Sequence, residues 1–147
     1  MYERILVATD GSTLSKKASR SAVELASALG ARLVALYVAP RYPTSYFEGA
    51  VTMSPQEVGR VEKQWADKGQ AVVDAVVLAA EASGVLARGF VAQSDLVAES
   101  VIAAARKHKC DLIVMASHGR KGLKRILLGS ETQHVLTHSS VPVLVLR

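Results

Sequence analysis

The sequence is poor in the residues that hold small proteins together without a core. Cys110 is the only cysteine among 147 residues, which excludes a disulfide framework and any zinc site built on cysteine pairs. That usage fits a reducing compartment and predicts a cytoplasmic protein. Aromatic residues make up only 5%, with one tryptophan, so the aromatic and basic surface of a nucleic-acid reader is missing. No run is long enough to cross a bilayer; "AVVDAVVLAA" is short and broken by Asp74. "MYERILVATDGS" lacks the apolar centre of a signal peptide, with Glu3 and Arg4 in its first four positions. Two familiar phosphate signatures are absent too. G-x(4)-G-K-[ST] does not occur, and no G-x-G-x-x-G follows the first apolar run.

What is present is alanine, valine and leucine in quantity. Half the residues are hydrophobic, and the length suits one domain, residues 1–147, with a buried core. The formal charge is +5 and the isoelectric point about 9.6. The basic residues are scattered, so anionic small molecules, phosphates above all, are the expected partners, and neither nucleic acid nor membrane is.

Four runs, "RILVAT", "RLVALYVA", "DLIVMAS" and "VPVLVLR", are apolar almost without alternation. Strands buried on both faces read this way, which predicts a parallel sheet. "VLARGFVAQ" is a weaker fifth run. Between them lie helical patterns. "SKKASRSAVELASALG" stops at Gly30, a second spans roughly Pro55 to Ser83, and "DLVAESVIAAARKHK" begins after Ser94 as a candidate N-cap. The alternation predicts an α/β, doubly wound, Rossmann-like domain: a five-stranded, mostly parallel sheet with helices on both faces. The irregular stretch Pro40 to Pro55 is either a plain connection or a flap over a ligand or partner.

In such folds ligands sit beyond the carboxyl ends of the strands, where strand order reverses. Asp10 follows the first run, Val38 and Ala39 end the second, and Ser117 to Gly119 follow the fourth. All three groups fall on one edge. Past that edge lies "ASHGRKGLKRILLGS" (Ala116 to Ser130). Glycines there would free backbone N–H groups for a phosphate. Ser130 is the candidate cap of the helix that follows, with Gln133 in the capping-box position. Arg120, Lys121, Lys124 and Arg125 add positive potential. His118 could bond a phosphate or the loop itself. Side chains at Ser117 and His118 are expected to diverge, and no G-x-S-x-G elbow surrounds them, so a hydrolytic triad is not expected. His134 and His138 share a helical face but have no evident third ligand. Cys110 reads as a small buried residue.

These residues resemble the universal stress protein family over essentially the whole chain. Its nucleotide-binding members carry G-x(2)-G-x(9)-G-[ST] after the fourth strand. Here Gly119, the nine residues Arg120 to Leu128, and Gly129-Ser130 match the long spacing, and "TDGS" and "SSVPVLVLR" agree as well. Ala116 stands where the motif has its first glycine; a methyl there crowds the nucleotide if that position needs an unusual dihedral and costs little in extended backbone. The resemblance implies that Asp10 and Val38 contact adenosine, with Ala8 and Thr9 beside them and Met115 near the base or ribose. Gly119, Arg120, Gly129, Ser130, Glu131 and Thr132 would surround the phosphates. It implies a stress-response protein that binds ATP (or AMP or ADP), with room for Mg²⁺ beside the phosphates, and a homodimer paired through Val141–Arg147. Fast catalysis is not expected. A nucleotide-free dimeric interaction module, or a slow ATP-hydrolysing or adenylyl-transferring enzyme, are the other readings of the same residues.

Overall fold

The apolar runs form one sheet, and the alanine-rich segments cover both its faces. The computed structural model describes residues 1–43, 53–119 and 128–147. Along the chain these form β1 (Arg4–Ala8), α1 (Thr13–Leu29), β2 (Arg32–Ala39), α2 (Pro55–Ala82), β3 (Ala87–Gln93), α3 (Val97–Lys107), β4 (Leu112–Ala116), α4 (Ser130–His138) and β5 (Val143–Leu146). The sheet order is β3-β2-β1-β4-β5. Every pairing is parallel, so the sheet expected to be mostly parallel is wholly so among the described residues. The chain winds from β1 out to β3, returns past β1 to β4, and continues to β5. Strand order therefore reverses between β1 and β4.

Two apolar layers follow from the pleat. Ile5, Val7, Leu33, Ala35, Leu112 and Val114 face α1 and α2, while Leu6, Val34, Leu36, Ile113 and Met115 face α3 and α4. Two glycines set the spacing between helix and sheet on the α1/α2 side. Gly69 of α2 lies flat on the Tyr37 ring, where a Cβ would collide with ring carbons, and Gly89 of β3 lies 3.0 Å from the side chain of Val73 by the same measure. Helix and sheet thus approach at small residues.

Helix ends follow local chemistry. Ser12 caps α1 by accepting the Ser15 N–H, and Gly30 ends it in the left-handed region at φ 66°. Ser54 and Glu57 form a full capping box on α2 with Pro55 in its first turn. Two expected caps are corrected. The Ser94 hydroxyl accepts the Leu96 N–H at 3.0 Å, forming a turn that delays α3 to Val97. The first turn of α3 is capped from outside, since Ala98 N–H donates to Glu131 Oε2 at 2.8 Å. In α4 the N-cap is Gly129, not Ser130, and no side chain caps it. A Cβ at Gly129 would come 3.3 Å from the Ser117 carbonyl oxygen, so the glycine lets the helix start against the end of β4.

At the amino edge of the sheet, Asp111 accepts the N–H groups of Glu3 (2.9 Å) and Arg4 (3.0 Å). Burial pushes its carboxyl up, but those two N–H groups, its own and the N-terminal charge outweigh burial and leave it below the ordinary aspartate value. Arg4 Nη1 donates to the His108 carbonyl at 2.8 Å. This fixes the start of β1 to the turn before β4.

Candidate functional site

The site lies at the opposite, carboxyl edge, on both sides of the β1–β4 reversal. Thr9 leaves β1 with its N–H on the Leu36 carbonyl at 2.9 Å, and its hydroxyl meets Ser15 Oγ at 3.1 Å. Asp10 follows, and its Oδ1 accepts the Ser12 N–H at 2.9 Å. This local bond orients the carboxylate and shapes the turn that starts α1. The other oxygen, Oδ2, packs against Gly119: a Cβ at Gly119 would collide with it. A side chain at position 119 would thus displace Asp10. Glycine at 119 lets the ends of β1 and β4 approach with the Asp10 carboxylate in this position.

On the β4 side the strand end and α4 are joined by two bonds. The Gly129 N–H donates to the Ser117 carbonyl at 2.7 Å. The buried Thr132 hydroxyl donates to the Ala116 carbonyl at 2.9 Å. Ala116 is a β4 residue paired with Leu146, and it is not among the residues with positive φ. Its backbone is ordinary strand, so alanine carries no dihedral penalty there. Ser117 Oγ lies 3.2 Å from His118 Nδ1. The expected divergence of these neighbours is corrected: β4 ends at Ala116, and strand alternation no longer applies beyond it.

The pleat sorts the remaining residues. Ala8, Val38 and Met115 pack into the layer facing α3 and α4. Ala116 belongs to the layer facing α1 and α2, and Thr9 is turned to the same side through Ser15. Glu131 is exposed and its carboxylate is engaged by α3, as described. Ser130 is exposed at the first position of α4. Arg120, with Lys121, Gly122, Lys124 and Arg125, lies outside the described residues, as does 44–52 of the Pro40–Pro55 connection. The start of that connection is held: Arg41 N–H donates to Asp95 at 3.1 Å, Tyr42 N–H to Glu62 at 3.0 Å, and the Tyr42 ring stacks on Trp65.

His118 and Gly119 open onto a cavity of about 580 Å³ walled by Ser12, Thr13, Leu14, Lys17, Arg20 and Arg147. Lys17 Nζ donates to the Arg147 carbonyl at 3.3 Å. Three cations thus border the crevice beside the α1 N-terminus, an arrangement suited to an anion. Sequence reading did not single out Ser12, Lys17, Arg20 or Arg147. The signal for Ser12 was its place after "TDG", three residues before Ser15; for Lys17 and Arg20 it was their i, i+3 spacing on the helix leaving the same edge. His134 and His138 stack at 4.2 Å, and no group of three metal-ligating side chains occurs among the described residues.

With this geometry in place, comparison decides the family. The model of the universal stress protein family matches residues 1–147. The chain belongs to the universal stress protein family. A universal stress protein of Methanocaldococcus jannaschii is 33% identical over 147 residues, covering all of this chain and 83% of the relative. The structure of the universal stress protein UspA of Lactobacillus plantarum superimposes with a TM-score of 0.84 at 24% identity, covering 99% of this chain and 98% of that one. A universal stress protein in complex with cAMP superimposes with a TM-score of 0.68 at 25% identity, covering 99% and 97%. Universal stress proteins of this fold thus include one that holds an adenine nucleotide. No helix among the described residues of this universal stress protein is long and apolar enough to cross a membrane.

Proposed function

We propose that this universal stress protein is a cytoplasmic, homodimeric regulatory module that binds an adenine nucleotide, ATP or AMP/ADP, at the β1–β4 crevice. The observation that carries the reading is the fit of Gly119 against the Asp10 carboxylate at the strand-order reversal. It brings the β1 turn and the "ASHG" end of β4 together beside a cationic cavity. In this reading Asp10 accepts the ribose hydroxyls, while Ala8, Val38 and Met115 form the apolar surface under the adenine. Gly119, Ser130 and Thr132 offer backbone N–H groups to the phosphates, with Lys17, Arg20 and Arg147 supplying charge. Arg120 is proposed from the motif alone. Mg²⁺ is proposed beside the phosphates, coordinated chiefly by them and by water. β5 supports the dimer: it pairs with β4 on one side only among the described residues, and Leu144 stands exposed on it.

Calorimetry on nucleotide-stripped protein tests this directly. ATP, ADP or AMP should give saturable heat, GTP much less, and Asp10→Ala should lose most of the affinity. Absence of heat with all three adenine nucleotides refutes the binding reading. Sedimentation equilibrium tests the dimer, which should dissociate in Leu144→Lys; a monomeric parent protein overturns it.

A further inference from the structure

A second cavity, also about 580 Å³, lies between α1 and α2 on the outer face of the sheet, walled by both helices and reaching Thr9 at one end. Its α2 wall is apolar and low: Ala71, Val72, Ala75, Val76 and Ala79. Helix rise makes the wall from Lys68 to Ala79 about 16 Å long. α1 contributes Val23 and Ser19. Ser19 is 6% exposed, and its hydroxyl is buried with no hydrogen-bond partner. Such a group costs free energy unless something in the cavity satisfies it. Lys16, Arg20 and Lys68 also line the cavity, against one acid, Glu24. None of the three cations has an ion pair among the described residues. Both helices run away from the carboxyl edge, so Lys16, Arg20 and Lys68 precede most of the small apolar residues in their helices. One end of the groove is cationic; beyond it the α2 wall is apolar, with Glu24 of α1 and Ser83 as further polar residues of the lining.

We propose that this groove is a binding site for a small amphipathic carboxylate, a medium-chain fatty acid. Its head lies among Lys16, Arg20 and Lys68, and its chain lies along Ala71, Ala75 and Ala79. The volume is within the range of small-molecule sites. The wall length accommodates an extended chain of roughly ten to twelve carbons. The Ser19 hydroxyl gains a partner in the bound carboxylate. Arg20 lines both this groove and the cavity beside the β1–β4 crevice, but the α2 wall contributes nothing to that crevice, so variants of Lys68, Ala75 and Ala79 test the groove apart from the nucleotide reading.

The test is calorimetry of the full chain with sodium laurate below its micelle concentration, beside dodecanol and dodecyltrimethylammonium. Laurate should bind saturably, with one site per chain, and at least about tenfold more tightly than either the neutral or the cationic probe. Lys68→Glu and Ala75→Phe should each weaken laurate by a similar factor, with far-UV circular dichroism confirming the fold. Ser19→Ala should raise the melting midpoint of the ligand-free protein while lowering laurate affinity, opposite signs that a purely structural serine would not give. Should either variant destabilise the fold, Ala79→Phe is the alternative block. Equal binding of all three probes, or unchanged laurate affinity in a folded Ala75→Phe or Ala79→Phe protein, overturns the proposal.

Discussion

Replacing Thr132 by valine removes one bond between the strand end and the helix that close the crevice, and little else. Thr132 is 2% exposed, and its hydroxyl donates to the Ala116 carbonyl at 2.9 Å. Valine keeps the β-branched shape, so helix propensity hardly changes. The bond itself contributes about 0.5–1.5 kcal/mol, and a buried carbonyl that loses its donor costs about 1–3 kcal/mol. A total near 2 kcal/mol corresponds to a melting midpoint lowered by roughly 4–8 °C for a chain of this size. Urea unfolding, followed by circular dichroism and tryptophan fluorescence, should give this loss with an unchanged m-value. Thr132→Ser retains the hydroxyl and should keep the bond while losing only a methyl group. The reasoning fails if Thr132→Val lies within about 0.5 kcal/mol of the parent, the range of inert surface changes. It fails equally if serine is no better than valine.

Other perturbations read different parts of the molecule. Ala116→Gly should leave nucleotide affinity unchanged and cost about 0.5–1 kcal/mol in urea unfolding, because the position is ordinary strand; tighter binding would show that the methyl obstructs. Asp111→Asn should lower stability at pH 7. The folded carboxyl of Asp111 lies below its unfolded value, so its contribution is complete above the ordinary aspartate pKa of about 3.9 and disappears as pH falls through the folded value. The gap between parent and variant should therefore narrow in acid; a gap independent of pH refutes the assignment. Burial pushes the Cys110 thiol up to about 11, with Arg4 opposing and Asp111 reinforcing the shift. Ellman's reagent at pH 7 should therefore label it only on unfolding; rapid labelling of the native protein contradicts the burial.

Much of the architecture could be read from the chain because burial on both faces writes itself as uninterrupted apolar runs. β1, β2 and β4 were each such a run, and Gly30 ended α1 where a left-handed residue was needed; β5 read the same way but is only half covered, with Leu144 exposed at the sheet margin. Caps were harder, because a serine hydroxyl has several neighbours to choose from. Ser94 took the N–H of Leu96, and α3 borrowed Glu131 from another helix; no local pattern carries a partner 33 residues away. That Asp10, Val38 and the "ASHG" segment share the carboxyl edge was legible from their place at the ends of apolar runs in a parallel sheet. The role of Gly119 beside Asp10 was not, since the two are far apart in the chain and meet only when β1 and β4 pair. The α1–α2 groove was invisible for a different reason. Ala71, Ala75 and Ala79 look like good helix formers, and their effect depends on what stands opposite them.

The two margins of the sheet are secured unequally. At one margin a single carboxylate clasps the amides of Glu3 and Arg4 where β1 begins, and a guanidinium grips the turn beside it, so this end behaves as a pivot. At the other, strand tips meet helices through a hydroxyl, one amide and the snug seating of a glycine. Spreading of the fold should begin there, fan-wise, and deuterium uptake should run fastest around residues 117–119 and 129–132. Anything lodged between those tips would act as a wedge in reverse, drawing them shut and slowing exchange at that margin while the pivot stays as it was.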